Sequence, residues 1–313
     1  VSDILVQRGT LDAFGSEGVD SHDVAPPIAI VDPEKAFVRV TNTVHFSGGD
    51  PGSSGDDDGQ TIGGHEVNCK IVDIGGGVYR IRISKDPIAF NDLRRVEWEL
   101  WEYVGAPGGP NEFRVEQGTA SVQLATIAIT PSWPTGFDEE KVAILWSGLG
   151  LSDAQTAAAP GFNREMFRFD LVKATPEYTV RRCSTNTRFD VTWQVIEFTG
   201  SNWSVQYVEH VFTSPGSTET EALSPSVDWG SSFILMSRQN ADGSPDDSGF
   251  LAWPGADGST VRLRLSPSST LDNGSDAHGS SVFVVSNPEM SVQHFDTITG
   301  GATAHPSYPF SGP

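Results

Sequence analysis

Basic residues are scarce in this chain. Lysine occupies only positions 35, 70, 85, 141 and 173, and Lys and Arg together number 20 against 41 Asp and Glu, a net charge of −21 over 313 residues. So acidic a surface repels phosphate backbones, and no local basic cluster offsets it, so nucleic-acid binding is not expected. Cysteine is scarcer still: Cys69 and Cys183 offer at most one bridge, which rules out a disulfide scaffold, and both read as buried free thiols. An uninterrupted apolar run of roughly 20 residues, the length that spans a bilayer, is missing. Val1-Ser2-Asp3 has no basic character, so neither membrane insertion nor an uncleaved signal peptide is expected. Helical periodicity is confined to short stretches such as Ser152–Ala159, which Pro160 stops.

What is present is apolar and aromatic. Hydrophobic residues make 37% of the chain, with 17 Phe and 8 Trp, too many for a disordered polymer. They alternate with polar residues at period two: Arg80-Ile81-Arg82-Ile83, Val96-Glu97-Trp98-Glu99-Leu100, Val191-Thr192-Trp193-Gln194-Val195 and Val261-Arg262-Leu263-Arg264-Leu265. This is the pattern of half-buried strands. Turn clusters such as Gly75-Gly76-Gly77 and Ala106-Pro107-Gly108-Gly109-Pro110 separate them. The chain therefore reads as all-β.

The strands repeat. Val96, Trp98, Glu102 and Gly105 recur as Val191, Trp193, Glu197 and Gly200, all at one offset (193 − 98 = 95). Beyond the turn the offset is smaller (203 − 113 = 90), matching Phe113-Arg114-Val115 to Trp203-Ser204-Val205. A third, weaker copy places Val282-Phe283-Val284-Val285 where Trp193-Gln194-Val195-Ile196 stood and Ser291-Val292-Gln293 where Ser204-Val205-Gln206 stood. Each copy also has an opening strand, at Phe37–Thr41, Val142–Trp146 and Phe233–Met236. Arg-bearing strands at Val78–Ile83, Val180–Cys183 and Val261–Leu265 follow. About six strands with alternating faces close best as two packed sheets. The expected fold is three tandem antiparallel β-sandwich domains at 36–135, 136–229 and 230–300. An irregular N-terminal arm at 1–35 precedes them, and a tail at 301–313 follows. The arm, with Ile4, Leu5, Val6, Ile28, Ile30 and Val31, is expected to dock on a partner.

Chemistry is harder to find. Trp98 and Trp193 share strand parity with aliphatic neighbours and are expected in the repeat core, whereas Phe113 and Trp203, just after turns, and Trp253 are candidate ligand or interface aromatics. Glu102 and Glu197 lie in separate copies, so they do not form the carboxylate pair of a glycosidase; an ion pair with Arg82 or Arg181 is the expected role. Asp56-Asp57-Asp58-Gly59 lacks the staggered ligand spacing of a calcium loop and reads as a hydrated connection. The seven His residues, at 22, 45, 65, 210, 278, 294 and 305, show no zinc-binding spacing. No nucleophile elbow or phosphate loop occurs. No catalytic residue, metal or cofactor is therefore expected.

The segment Glu197-Phe198-Thr199-Gly200, Asn202-Trp203, Val205-Gln206, read as a hairpin with Val191–Ile196, resembles a repeat in structural proteins of tailed viruses. The Trp98–Val115 segment is similar to a variant of it. The resemblance implies a virion component, whether tail, fibre or capsid decoration, whose partners are identical copies and other virion proteins. It carries over no catalytic residue. The rival expectation is a module that binds host-surface glycans through its loop aromatics.

Overall fold

The computed structural model describes residues 3–12, 21–45, 67–85, 93–122, 128–150, 167–172, 177–182, 189–212, 218–239, 250–265 and 279–292. Strands dominate them, in three successive groups of six. The first block holds β1 (Ile4–Leu11), β2 (Ser21–Val24), β3 (Ala36–His45), β4 (Val67–Asp73), β5 (Tyr79–Lys85) and β6 (Leu93–Tyr103). The second holds β7 (Arg114–Val122), β8 (Ala128–Ile129), β9 (Val142–Gly150), β10 (Phe167–Val172), β11 (Glu177–Arg182) and β12 (Phe189–Glu197). The third holds β13 (Ser204–Val211), β14 (Thr218–Ala222), β15 (Ser232–Gln239), β16 (Phe250–Pro254), β17 (Thr260–Leu265) and β18 (Gly279–Ser286).

Every block pairs its strands alike. The first, sixth and third strands make one three-stranded antiparallel sheet (β1-β6-β3, β7-β12-β9, β13-β18-β15), and the second, fifth and fourth make another (β2-β5-β4, β8-β11-β10, β14-β17-β16). A short 3-10 turn leads into the third strand of each block, at Pro33–Lys35, Glu139–Lys141 and Trp229–Ser231. The aspartate before it accepts the backbone N–H two residues on: Asp32 from Glu34, Asp138 from Glu140 and Asp228 from Gly230. A short side chain that satisfies such an amide fixes where the strand begins.

Two expectations change. Residues 1–35 are not an irregular arm, because β1 pairs along its whole length with β6, from Ile4 opposite Tyr103 to Leu11 opposite Val96, and β2 pairs with β5. The block thus opens two strands earlier than Phe37. Nor is there a hairpin across Gly105 or Gly200. β6 and β7 belong to different sheets, as do β12 and β13, so each short turn carries the chain from one block to the next.

Apolar packing follows the sheets. In the first block Cys69, Ile71, Ile81, Ile83, Val96, Trp98 and Leu100 form a buried cluster drawn from both sheets. Val208, Val261, Leu263, Val282 and Val284 do the same in the third. Burial pushes the Cys69 thiol far above its ordinary pKa; Cys183 lies outside the described residues. A larger cluster spans all three blocks, including Phe37, Trp101, Phe113, Ile144, Trp193, Phe198, Trp203, Phe233 and Phe283. Phe37 stacks on Trp101 with centroids 5.7 Å apart, and other rings of the cluster meet edge-on or tilted, Phe37 to Phe113 at 5.3 Å, Phe198 to Trp203 at 4.8 Å and Trp101 to Phe233 at 5.4 Å between centroids, arrangements that aromatic quadrupoles favour. The last of these ties the first block to the third.

Candidate functional site

The side chains that do the most chemistry lie where one block meets the next. The strand pairings define matched triplets across the first, sixth and third strands: Arg8, Glu99 and Arg39 in the first block, Gln117, Gln194 and Leu145 in the second, Tyr207, Phe283 and Leu235 in the third. In the second block this row engages the first. Gln194 Oε1 accepts the Val38 N–H at 2.9 Å, its Nε2 donates to the Val38 carbonyl at 2.6 Å, and Gln117 Oε1 accepts the Ile71 N–H at 3.0 Å. The third block does likewise to the second, with the Tyr207 hydroxyl taking the Leu171 N–H at 3.3 Å. A neutral side chain that accepts from a strand edge satisfies an amide that burial would otherwise leave orphaned.

The first block's row is charged. Glu99, only 3% exposed, receives Arg8 at 2.6 Å, Arg39 at 2.8 Å and the indole N–H of Trp101 at 2.5 Å, whereas the Arg8 side chain is 72% exposed. Burial works against ionisation of Glu99, but Arg39, the Trp101 N–H and Arg8 outweigh it and hold its carboxyl below the usual range.

The turns between blocks meet one another. Asn111, in the first turn, accepts at Oδ1 from Asn202 at 3.0 Å and from Asn287 at 2.9 Å, and it donates to Glu289 at 2.7 Å. Backbone bonds join the same turns, Gly200 N–H to the Glu112 carbonyl at 2.8 Å and Asn202 N–H to the Pro110 carbonyl at 2.9 Å. Beside them Lys35 contacts Glu112 at 2.6 Å. That bond raises the lysine pKa and lowers the glutamate's.

The repeated carboxylates serve as turn anchors. Glu102 Oε1 accepts the N–H groups of Val31, at 2.7 Å, and Asp32, at 3.0 Å; Glu197 accepts the Asp138 N–H at 2.6 Å and pairs with Arg114. The expected partner Arg82 instead makes a forked contact with Asp23, while the Arg181 side chain lies outside the described residues. The correction has a simple cause, since Arg82 lies on β5, in the other sheet.

The aromatic candidates also move. Phe113 is 0% and Trp203 7% exposed, both in the shared cluster, because the turns before them face the neighbouring block rather than solvent. Trp253 sits opposite Arg262 on β16, and its side chain lies outside the described residues. Trp98 and Trp193 are buried, each lying over a glycine on the adjacent strand. A Cβ at Gly9 would come within 2.3 Å of the Trp98 ring and one at Gly118 within 2.4 Å of Trp193.

Buried His210 has Nδ1 at 2.7 Å from Glu221 and Nε2 at 3.1 Å from Glu219, so both ring nitrogens face carboxylates and neither faces a substrate. Among the described residues no group of three or more His, Cys, Asp or Glu could hold a metal ion. The Asp56–Asp58 loop lies outside them. Asn202, part of one N-x-S sequon, is committed to the turn network. Sequence reasoning missed the glutamine clamps and the Asn network. No local pattern marks them, because Gln117 and Gln194 find their partners in another block and Asn111 finds its partners in the other turns. A scan against protein-family models and a search of curated proteins find no match for this chain.

Proposed function

We propose that this protein is a non-enzymatic structural component of a tailed-virus particle, in the tail, a fibre or a capsid decoration, working as a rigid β building piece. Each block is read as a two-sheet β-sandwich, the units spanning roughly the described strands of 3–103, 112–197 and 203–286. The observation that carries the reading is the way the blocks interlock. Side chains of one block complete the backbone hydrogen bonds of another at Val38, Ile71 and Leu171, and one aromatic core runs through all three. Such a piece resists separation of its parts and presents fixed surfaces to partners, which on this reading are identical copies and other virion proteins. The likeness of the Glu197–Gln206 segment to tailed-virus repeats supports the location.

The glycan-binding alternative rested on Phe113, Trp203 and Trp253. The first two are spent inside the shared core, and no observation favours that reading over the structural one. Mass spectrometry of purified particles tests the proposal: peptides of this chain at a fixed copy number are expected, and their absence from particles would remove it.

A further inference from the structure

The third block carries a charged cluster at a place where the first is apolar. His210 on β13 lies opposite Ser280, two residues before Val282, as Leu11 lies opposite Val96 and Ala120 opposite Val191, two residues before Trp98 and Trp193. In the first block Leu11, and Val24 on β2, pack against the core. In the third, His210 reaches from β13 across to β14, with Nδ1 2.7 Å from Glu221 and Nε2 3.1 Å from Glu219. These two strands stand at the edges of different sheets, β13-β18-β15 and β14-β17-β16. The imidazole therefore bridges the two sheets of the block along one margin. Buried Phe212 supports it, its ring edge-on at 4.6 Å between centroids.

Geometry fixes how many protons the cluster needs. A neutral imidazole donates from one ring nitrogen and carries a lone pair on the other. With Nδ1–H given to Glu221, a bare Nε2 would set its lone pair against the Glu219 carboxylate. One further proton, between Nε2 and Glu219, turns that repulsion into attraction. Among the described residues Glu219 and Glu221 are the charged groups that face the ring. Glu209, beside it on β13, is exposed on the opposite face of the strand. Arg262 of β17 stands opposite Thr220 and alternates with buried Val261 and Leu263, which lie opposite the two glutamates. From β18 comes Ser280, and Arg238 of β15, opposite that serine, has its side chain outside the described residues, as has Arg264 of β17.

We propose that His210, Glu219 and Glu221 form a proton-dependent latch between the two sheets of the third block, closed while the further proton is bound and open once it is lost as the pH rises. Without it the ring can satisfy only one of its two carboxylates. The glutamate side chains, 17% and 38% exposed, are then free to turn to water, and Phe212 loses the ring it rests on. A charged cluster set where aliphatics would pack is poor stabilisation, whereas a histidine held this way suits switching, because its charge changes near neutrality. A latch that needs a proton weakens as protons become scarce, the opposite sense to the Glu99 row. The inference goes beyond the structural role, since it gives the third block a response to pH wherever the protein resides.

The test follows amide exchange in β13 and β14, corrected for intrinsic rates, together with the ring nitrogen resonances of His210, as the pH is raised from mildly acidic to alkaline. Once the ring titrates, exchange in both strands is expected to accelerate by up to about tenfold per pH unit, the slope of one linked proton. Glu219→Gln offers Nε2 an amide N–H in place of that proton, so it should keep the strands protected and flatten the step. His210→Leu, which installs the first block's residue, should flatten it too and guards against misfolding of the glutamine variant. A step that persists in either folded variant would overturn the proposal. So would a ring that titrates while β13 and β14 stay equally protected, or exchange in the unaltered chain that does not vary with pH.

Discussion

The first two blocks and the third reach one topology with different interiors. Where the first two set a tryptophan over a glycine, Trp98 on Gly9 and Trp193 on Gly118, the third sets Val282 opposite Val208. Where Glu102 and Glu197 anchor the turn before the third strand, the third block has Ser286, bonded to Ser232 at 2.7 Å. The aspartate cap and the strand order are unchanged. The comparison teaches that register and turn chemistry carry the fold, while the filling of each core is free to vary as long as volume is conserved across the pair.

Breaking the filling should therefore hurt the blocks unequally. Trp193→Ala is expected to cost about 3–5 kcal/mol and Val282→Ala only about 1.5–3 kcal/mol, read from urea unfolding midpoints at constant slope. Equal losses would mean the tryptophans contribute no more than aliphatics. Next comes the turn anchor. Glu197→Ala frees Arg114, which is 40% exposed and keeps its bond to the Gly136 carbonyl, and leaves the Asp138 N–H without its carboxylate; it should cost about 1–3 kcal/mol, against about 1 kcal/mol for Ser286→Ala. Gly118→Ala forces a methyl into the Trp193 ring and should cost about 1–3 kcal/mol, whereas Val208→Gly, its mirror in the third block, should leave the Val282 contact as a void without a clash; near-ultraviolet circular dichroism would report displacement of the tryptophan only in the former.

Acid sharpens the contrast along another axis. Glu99, Glu112 and Asp23 all have lowered pKa values, Glu99 from an ordinary 4.5. A depressed carboxyl contributes stability that is complete above its unfolded pKa and is lost as the pH falls through its lower folded value. Amide exchange in β1, β3 and β6 is thus expected to accelerate below about pH 4.5, the ordinary value of Glu99, before that in β13, β15 and β18. Glu99→Gln should flatten part of the response, and an unaltered acid profile in that variant would place the sensitivity elsewhere. The smallest effect is at the caps, where Asp228→Ala should cost about 1 kcal/mol, measured as a shift in thermal midpoint.

Much of this arrangement was legible in the residues. The matched tryptophans revealed the duplication, and period-two alternation revealed the strands, because both are local signals. The boundaries were not, for a topological reason. The first strand of each block pairs with the sixth, so β1 pairs with β6 some ninety residues on, and short strands bound so far away look like an irregular arm. Conversely, Tyr103 and Phe113 flank a compact Gly-Pro turn that has the look of a hairpin, yet its Pro110 and Glu112 carbonyls accept from Asn202 and Gly200 in the turn that follows the second block. Phe113 and Trp203 looked like surface aromatics for the same reason. Their neighbours come from other blocks, which no window of sequence displays.

The clamp of Gln194 on Val38 has a consequence for the life of the unfastened protein. A strand at the margin of its sheet is a template on which foreign chains can grow, and cells guard such margins with charge, proline or cover. Here one amide, reaching across from a neighbour, takes both backbone groups of Val38. Loss of that single side chain would leave a donor and an acceptor unsatisfied beneath the second block's cover, a penalty that falls on the seam between blocks and leaves each sheet's own ladder intact.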